Sequence, residues 1–270
     1  MQYRTLGKTG LEVSVISFGA APLGSEYRNI DESEGISAVH TALDLGVNFI
    51  DTSPYYGRTK SEIVLGKALR TINRDQYYLA TKVGRYGLQD FDFTVNSVIK
   101  SVDQSLARLG IDYIDLIQCH DIEFGDLGMI INETIPALRK VQKQGKVRFI
   151  GITGLPLKIF CYVLERTAVD TILSYCHYAL NDVSLESLIP TFEDENIGII
   201  NASALCHRQN QFISHSCGFI TLQVRSVGQF QRDHCFVINA VRLALVRPIN
   251  GGNDCHVCLV QCMENSQGCH

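Results

Sequence analysis

The chain has 270 residues, 46% hydrophobic and 19% charged, with a formal net charge of −4 and a mean hydropathy near zero. Such a chain can bury one large core, carries no basic field to recruit nucleic acid or an anionic membrane, and has no apolar run near the roughly 18 residues of a spanning helix. The opening MQYRTLGKTG lacks the apolar stretch of a secretory signal, so the expected location is cytoplasmic.

In chain order, residues 2–14 read as a hairpin around LGKTG, and strand-then-helix units follow. Nearly continuous apolar runs mark parallel strands covered on both faces: VSVISFG (13–19), VNFID (47–51), YYLATKV (77–83), YIDLIQCH (113–120), VRFIGIT (147–153), TILSY (171–175) and IGIINAS (197–203). Asp31 and Glu34 resemble a capping box before a helix that stops at Gly46, and Thr94 is placed to cap a helix ended by Gly110. Further helices fit Ser61–Arg70, Gly128–Gln144, Pro156–Arg166 and Ser184–Asn196. Seven alternations leave an open doubly wound sheet or a (β/α)8 barrel. FGAAPLG does not supply the G-x-G-x-x-G of a dinucleotide-binding open sheet, so the barrel is favoured.

A parallel barrel places its chemistry at the carboxyl ends of its strands. Asp51, Lys82 and His120 end the second, third and fourth runs, and Tyr56 follows Asp51 within DTSPYYG. A free tyrosine, with a pKa of about 10, is a poor base. An adjacent ammonium stabilises its phenolate, a carboxylate behind the ammonium steadies it, and a histidine can orient a substrate oxygen. Singly, each residue also fits a structural role as a cap, a surface cation or a packed ring.

The hairpin MQYRTLGKTGLEVSVISFG, FIDTSPYYGRTKSEIVLGKAL, ATKVG and LIQCHD resemble the aldo-keto reductase superfamily. That resemblance implies a TIM barrel, a nicotinamide cofactor and a catalytic tetrad of Asp51, Tyr56, Lys82 and His120. The strings IQCHDIEFG, FIGITGLPL and LSYCHYALND are similar to the L-galactose-oxidising branch of the superfamily. This similarity implies NAD-dependent oxidation of the sugar at C1 to L-galactono-1,4-lactone, on the plant ascorbate route, with Tyr56 as general acid/base and hydride passing to the nicotinamide. By the same resemblance, cofactor contacts fall at Gly19, Ala20, Thr153, Gly154, Ser174, Tyr175 and Ser203. Many relatives have Ser-Asn where this chain has Thr153-Gly154, and Gln at Tyr175. The sole partner implied is a small sugar, with no nucleic acid or membrane.

The similarity ends near residue 205, which divides the chain into a barrel (1–205) and an atypical Cys/His-rich tail (206–270). Seven of ten cysteines and five of eight histidines lie in the tail, while all nine lysines occur by Lys158. This composition fits a retained intron or shifted reading frame. Cys255-x2-Cys258, with Cys262, Cys269 and His270, offers zinc as an alternative. The expected barrel is incomplete after its seventh strand, exposing the first and seventh strands as open edges. The functional alternative is a non-catalytic barrel fragment with an incomplete cofactor site. Cys119 is expected to point away from His120 and pack as a small hydrophobe.

Overall fold

The chain opens with β1 (Tyr3–Thr5) and β2 (Glu12–Ser14), antiparallel with Tyr3 opposite Ser14 and joined by a 3-10 turn at Gly7–Thr9. The computed structural model describes residues 1–26, 29–179 and 182–204, together with the backbone of three strands within 234–239, 242–245 and 257–260. Gly7 allows the hairpin to seat: its φ is +49°, and a Cβ there would lie 2.3 Å from the Gly198 nitrogen. Lys8 N donates to Asn196 O at 2.7 Å, tying this turn to another nearly two hundred residues away, just ahead of Gly198. Val13 therefore belongs to the hairpin, and the run 13–19 divides into β2 and the first barrel strand.

That barrel strand is β3 (Ile16–Gly19), followed by β4 (Phe49–Asp51), β5 (Tyr78–Val83), β6 (Ile114–Cys119), β7 (Val147–Gly154), β8 (Thr171–Tyr175) and β9 (Gly198–Ala202). All seven pair in parallel with their chain neighbours, as the apolar runs predict. A further strand, β10 (His234–Asn239), pairs in parallel with both β9 and β3 and closes the ring, so the two edges expected to be open are paired. It arises from CFVINAVRLALV, a segment compatible with strand or short helix. Beyond it, β11 (Arg242–Leu245) and β12 (Val257–Val260) form an antiparallel pair. The regular strand-helix succession stops at β9 among the described residues. The zinc-like spacing at the end of the tail lies outside the described side chains.

The outer layer consists of α1 (Glu32–Asp44), α2 (Lys60–Leu69), α3 (Val95–Leu109), α4 (Leu127–Met129), α5 (Ile135–Lys143), α6 (Lys158–Leu164) and α7 (Ile189–Asp194). Asp31 caps α1 by accepting from Ser33 N at 2.8 Å and Glu34 N at 3.4 Å. Thr94 occupies the N-cap of α3 with extended backbone but makes no side-chain cap hydrogen bond; its hydroxyl donates to Asp92 at 2.7 Å, two residues upstream. Between α4 and α5 lies a π-helical stretch, Ile130–Thr134, which widens where Pro136 brings no N–H to the ladder. No helix among the described residues is long and apolar enough to cross a membrane.

Strand alternation divides the interior. Helix-facing residues such as Ile117, Cys119, Ile150, Ile152 and Ile172 join a large core under the helices. Lumen-facing Phe49, Ala80, Leu116, Leu173 and Ile200 pack on Leu6, Leu11 and Val13 from the hairpin, filling the amino-terminal end of the barrel. Two residues further along β4, β5 and β6 the lumen becomes polar.

Candidate active site

Asp51, Lys82 and Gln118 stand one pleat repeat above the apolar layer of Phe49, Ala80 and Leu116, facing the same lumen. All three are buried, Asp51 at 2% exposure and Lys82 at 1%. Lys82 Nζ donates to Asp51 Oδ1 at 2.5 Å, to Thr52 O at 2.8 Å and to Tyr56 Oη at 3.3 Å. Gln118 Nε2 donates to the other Asp51 oxygen at 2.9 Å, so both carboxylate oxygens are engaged. A charge buried this deeply is tolerable only with such compensation.

The loop after β4 carries Tyr56 back to the ammonium. Ser53 Oγ accepts from Tyr55 N at 3.1 Å, and Ser53 O accepts from Tyr56 N at 3.1 Å, making a tight turn. Gly57 then adopts φ +61° against Gly24, whose carbonyl oxygen would lie 2.1 Å from any Cβ at Gly57. The Lys82 ammonium sits 4.8 Å from the Tyr56 ring centroid, beneath the phenol.

His120 follows β6, its amide donating to Val83 O at 2.9 Å. Its ring stands edge-on to Tyr55 and Tyr56, at centroid distances of 5.8 and 5.9 Å. Nδ1 faces Ser53 Oγ at 3.1 Å, and Nε2 lies 3.6 Å from Asp121 Oδ2. Burial, reinforced by the Lys82 and Arg85 charges and opposed by Asp121, pulls the imidazole down to about 3. The ring is neutral at physiological pH. Burial raises the Asp121 carboxyl, but the fields of His120, Arg85 and Lys82 outweigh it and leave it below the usual carboxylate value. Arg85 pairs with Asp121 and lies 4.0 Å over the Tyr55 ring, beside Phe91 and Phe124.

The four residues expected to carry the chemistry thus meet at one point. The seven expected cofactor positions are spread along the rim. Gly19 ends β3 opposite Asp51. Ala20 is committed internally, its N–H donating to Asp51 O at 2.8 Å and its carbonyl accepting from Ser61 Oγ at 2.7 Å. Thr153 Oγ1 accepts from Asp121 N at 2.8 Å, so it supports the His120 turn. Tyr175 is half-buried at the end of β8, and Ser203 follows β9 with φ +57°. Gly154 and Ser174 lie opposite one another on the other strand face, Ser174 paired in register with Asn201. A Cβ on Gly154 would lie 2.4 Å from Ile159 Cδ1.

Ser174 Oγ and Asn201 Oδ1 are buried and have no hydrogen-bond partner among the described residues. Both lie on the helix-facing side of their strands, one residue out of step with lumen-facing Leu173 and Ile200, so they do not face Lys82 and Tyr56. Of the expected cofactor positions, Thr153 and Tyr175 share the lumen face, in step with Phe149 and Leu173. Among the described residues, no cluster of His, Cys, Asp and Glu could hold a metal.

Ser53, Gln118, Asp121 and Arg85 complete the site, although the sequence assigns them no role of their own. Gln118 was detectable in principle, since it precedes His120 by one strand period. Cys119, between them, packs in the helix-facing core, and burial pushes its thiol up to about 12.

The sequence profile of the Aldo/keto reductase family matches residues 15–209. An L-galactose dehydrogenase of Arabidopsis thaliana is 53% identical over 210 residues, covering 76% of this chain and 66% of that protein. A D-threo-aldose 1-dehydrogenase of a Pseudomonas species is 30% identical over 218 residues, covering 72% of this chain and 66% of that protein. The holo form of an aldo-keto reductase from Bacillus halodurans superposes with a TM-score of 0.66 at 29% identity, covering 75% of this chain and 66% of that one. The chain spans just under two thirds of the length of these relatives.

Proposed function

Because this chain belongs to the aldo/keto reductase family, we propose that it oxidises L-galactose at C1 to L-galactono-1,4-lactone, with NAD as the electron acceptor. The observation that carries this reading is the buried Lys82 ammonium, held by Asp51 at 2.5 Å and Thr52 O at 2.8 Å while reaching Tyr56 Oη at 3.3 Å. A fixed positive charge beside a phenol favours its phenolate, so Tyr56 receives the proton that the C1 hydroxyl loses. Asp51 keeps Lys82 from swinging away, and Gln118 keeps Asp51 oriented. His120, neutral within its buried setting, orients the sugar oxygen by donating a hydrogen bond.

The nicotinamide dinucleotide supplies the two-electron acceptor when bound. Gly19, Ala20, Thr153, Gly154, Ser174, Tyr175 and Ser203 are the positions assigned to hold its nicotinamide end. Similarity to a protein named L-galactose dehydrogenase over 210 residues supports the sugar. The same reading includes a cytoplasmic location, the ascorbate route and a catalytic barrel body over residues 1–205, to which the tail adds the closing strand β10. A net charge of −4 gives nucleic acid or an anionic membrane little to bind.

The test is to mix the purified chain with L-galactose and NAD+ and follow NADH absorbance. Turnover that falls at least about a hundredfold in Tyr56→Phe supports the reading. Absence of turnover, with no fluorescence change on NADH titration, leaves the second reading, a barrel that binds no cofactor. That alternative is favoured by the family match ending at residue 209 of 270.

A further inference from the structure

We infer that Ser53 is a positioning residue that donates its hydroxyl proton to Nδ1 of His120 and thereby holds the ring proton on Nε2, facing the substrate side. The inference rests on the catalytic reading above for its effect on turnover, but not for the tautomer itself.

Ser53 is fully buried and His120 only 5% exposed, so water does not supply alternative partners. The Ser53 oxygen already accepts from Tyr55 N at 3.1 Å. A backbone N–H can only donate, so the hydroxyl proton must find an acceptor elsewhere. Among the described residues, the acceptor within reach is His120 Nδ1, at 3.1 Å. Were Nδ1 protonated, it would donate to the second lone pair of the Ser53 oxygen, and the buried hydroxyl proton would be left without an acceptor, a cost of about 1–3 kcal/mol.

The opposite side of the ring agrees. Nε2 lies 3.6 Å from the Asp121 carboxylate, which attracts an N–H and repels a lone pair. Asp121 is itself fixed by Arg85 and by the Thr153 hydroxyl at 3.3 Å. At 3.6 Å this is longer than a good hydrogen bond, so the Nε2 proton is biased toward the carboxylate without being consumed by it. The imidazole is thus a neutral donor whose orientation is set from both sides. The Ser of DTSPYYG connects the strand bearing Asp51 to the ring after β6.

The test is two-bond 1H–15N correlation on histidine-labelled protein, with His120 assigned by its loss in His120→Gln. A pyridine-type Nδ1 and a pyrrole-type Nε2 are expected in the unmodified chain. In Ser53→Ala the Nδ1 resonance moves toward that of an unbonded nitrogen, while kcat falls about tenfold and KM changes less than twofold. A protonated Nδ1 in the unmodified chain, an Nδ1 resonance unmoved by Ser53→Ala, or an unchanged kcat beside a moved resonance would each overturn the inference. If the unmodified chain shows no turnover, the proposed activity fails and the resonances alone decide the tautomer.

Discussion

The substitution Asp51→Asn removes a charge while preserving volume, so the result is not confounded by a cavity. In the native chain Asp51 and Lys82 face each other at 2.5 Å with side-chain exposures of 3% and 2%, so solvent screens the pair little. Breaking a buried pair by neutralising one member costs about 3–5 kcal/mol, because the remaining charge is stranded. Three features act to soften that cost. Lys82 keeps Thr52 O at 2.8 Å, the carbonyl oxygen of the introduced amide still accepts, and Gln118, whose Oε1 has no partner among the described residues, can turn its own amide to face the new NH2 group. We therefore expect about 3 kcal/mol of destabilisation, a large share of the roughly 5–15 kcal/mol typical of a domain. Urea unfolding followed by circular dichroism measures it, with an unchanged m-value confirming that the two states are the same. Turnover is expected to fall at least tenfold, because the ammonium no longer stays beside Tyr56. A stability loss below about 1 kcal/mol would refute the reasoning, showing that Thr52 and the surrounding dipoles suffice to hold the lysine.

Two further outcomes are expected. His120 titrates near 6.5 when unfolded and at about 3 when folded, so between these values the unfolded state binds more protons and stability falls as pH falls. The loss approaches about 1.4 kcal/mol per pH unit, and urea unfolding at pH 7 and pH 5 should show a smaller difference in His120→Gln than in the unmodified chain. Cys119, fully buried with its thiol pushed up to about 12, should stay unmodified when the native protein is treated with iodoacetamide at neutral pH and mapped by peptide mass spectrometry. Rapid alkylation of Cys119 would contradict its packing.

Most barrel strands are legible because both faces of each are buried, which turns them into short apolar runs between polar helices. The division of 13–19 is not legible, because Val13 is equally apolar whether it fills the lumen from a hairpin or lines a barrel strand. Thr94 keeps its expected N-cap position, but its hydroxyl points back to Asp92, a contact that lies outside the helix pattern. At the site, Asp51, Tyr56, Lys82 and His120 are readable because ionisable groups at successive strand ends are uncommon together. Ser53, Gln118 and Arg85 are ordinary residue types whose roles depend on contacts across strands, and Thr153 is spent on Asp121 in a way no linear pattern reveals. The closing strand β10 pairs Phe236 with Ile16, a contact too distant in sequence for any periodicity to announce.

The hairpin gives the barrel a floor. Leu6, Leu11 and Val13, each no more than 2% exposed, seal the lumen below the layer that holds Asp51 and Lys82. Whatever reaches Tyr56 must pass the rim at the opposite end and leave by the same way. The fold thereby confines approach to one end of the barrel, through three apolar side chains at the end remote from the chemistry.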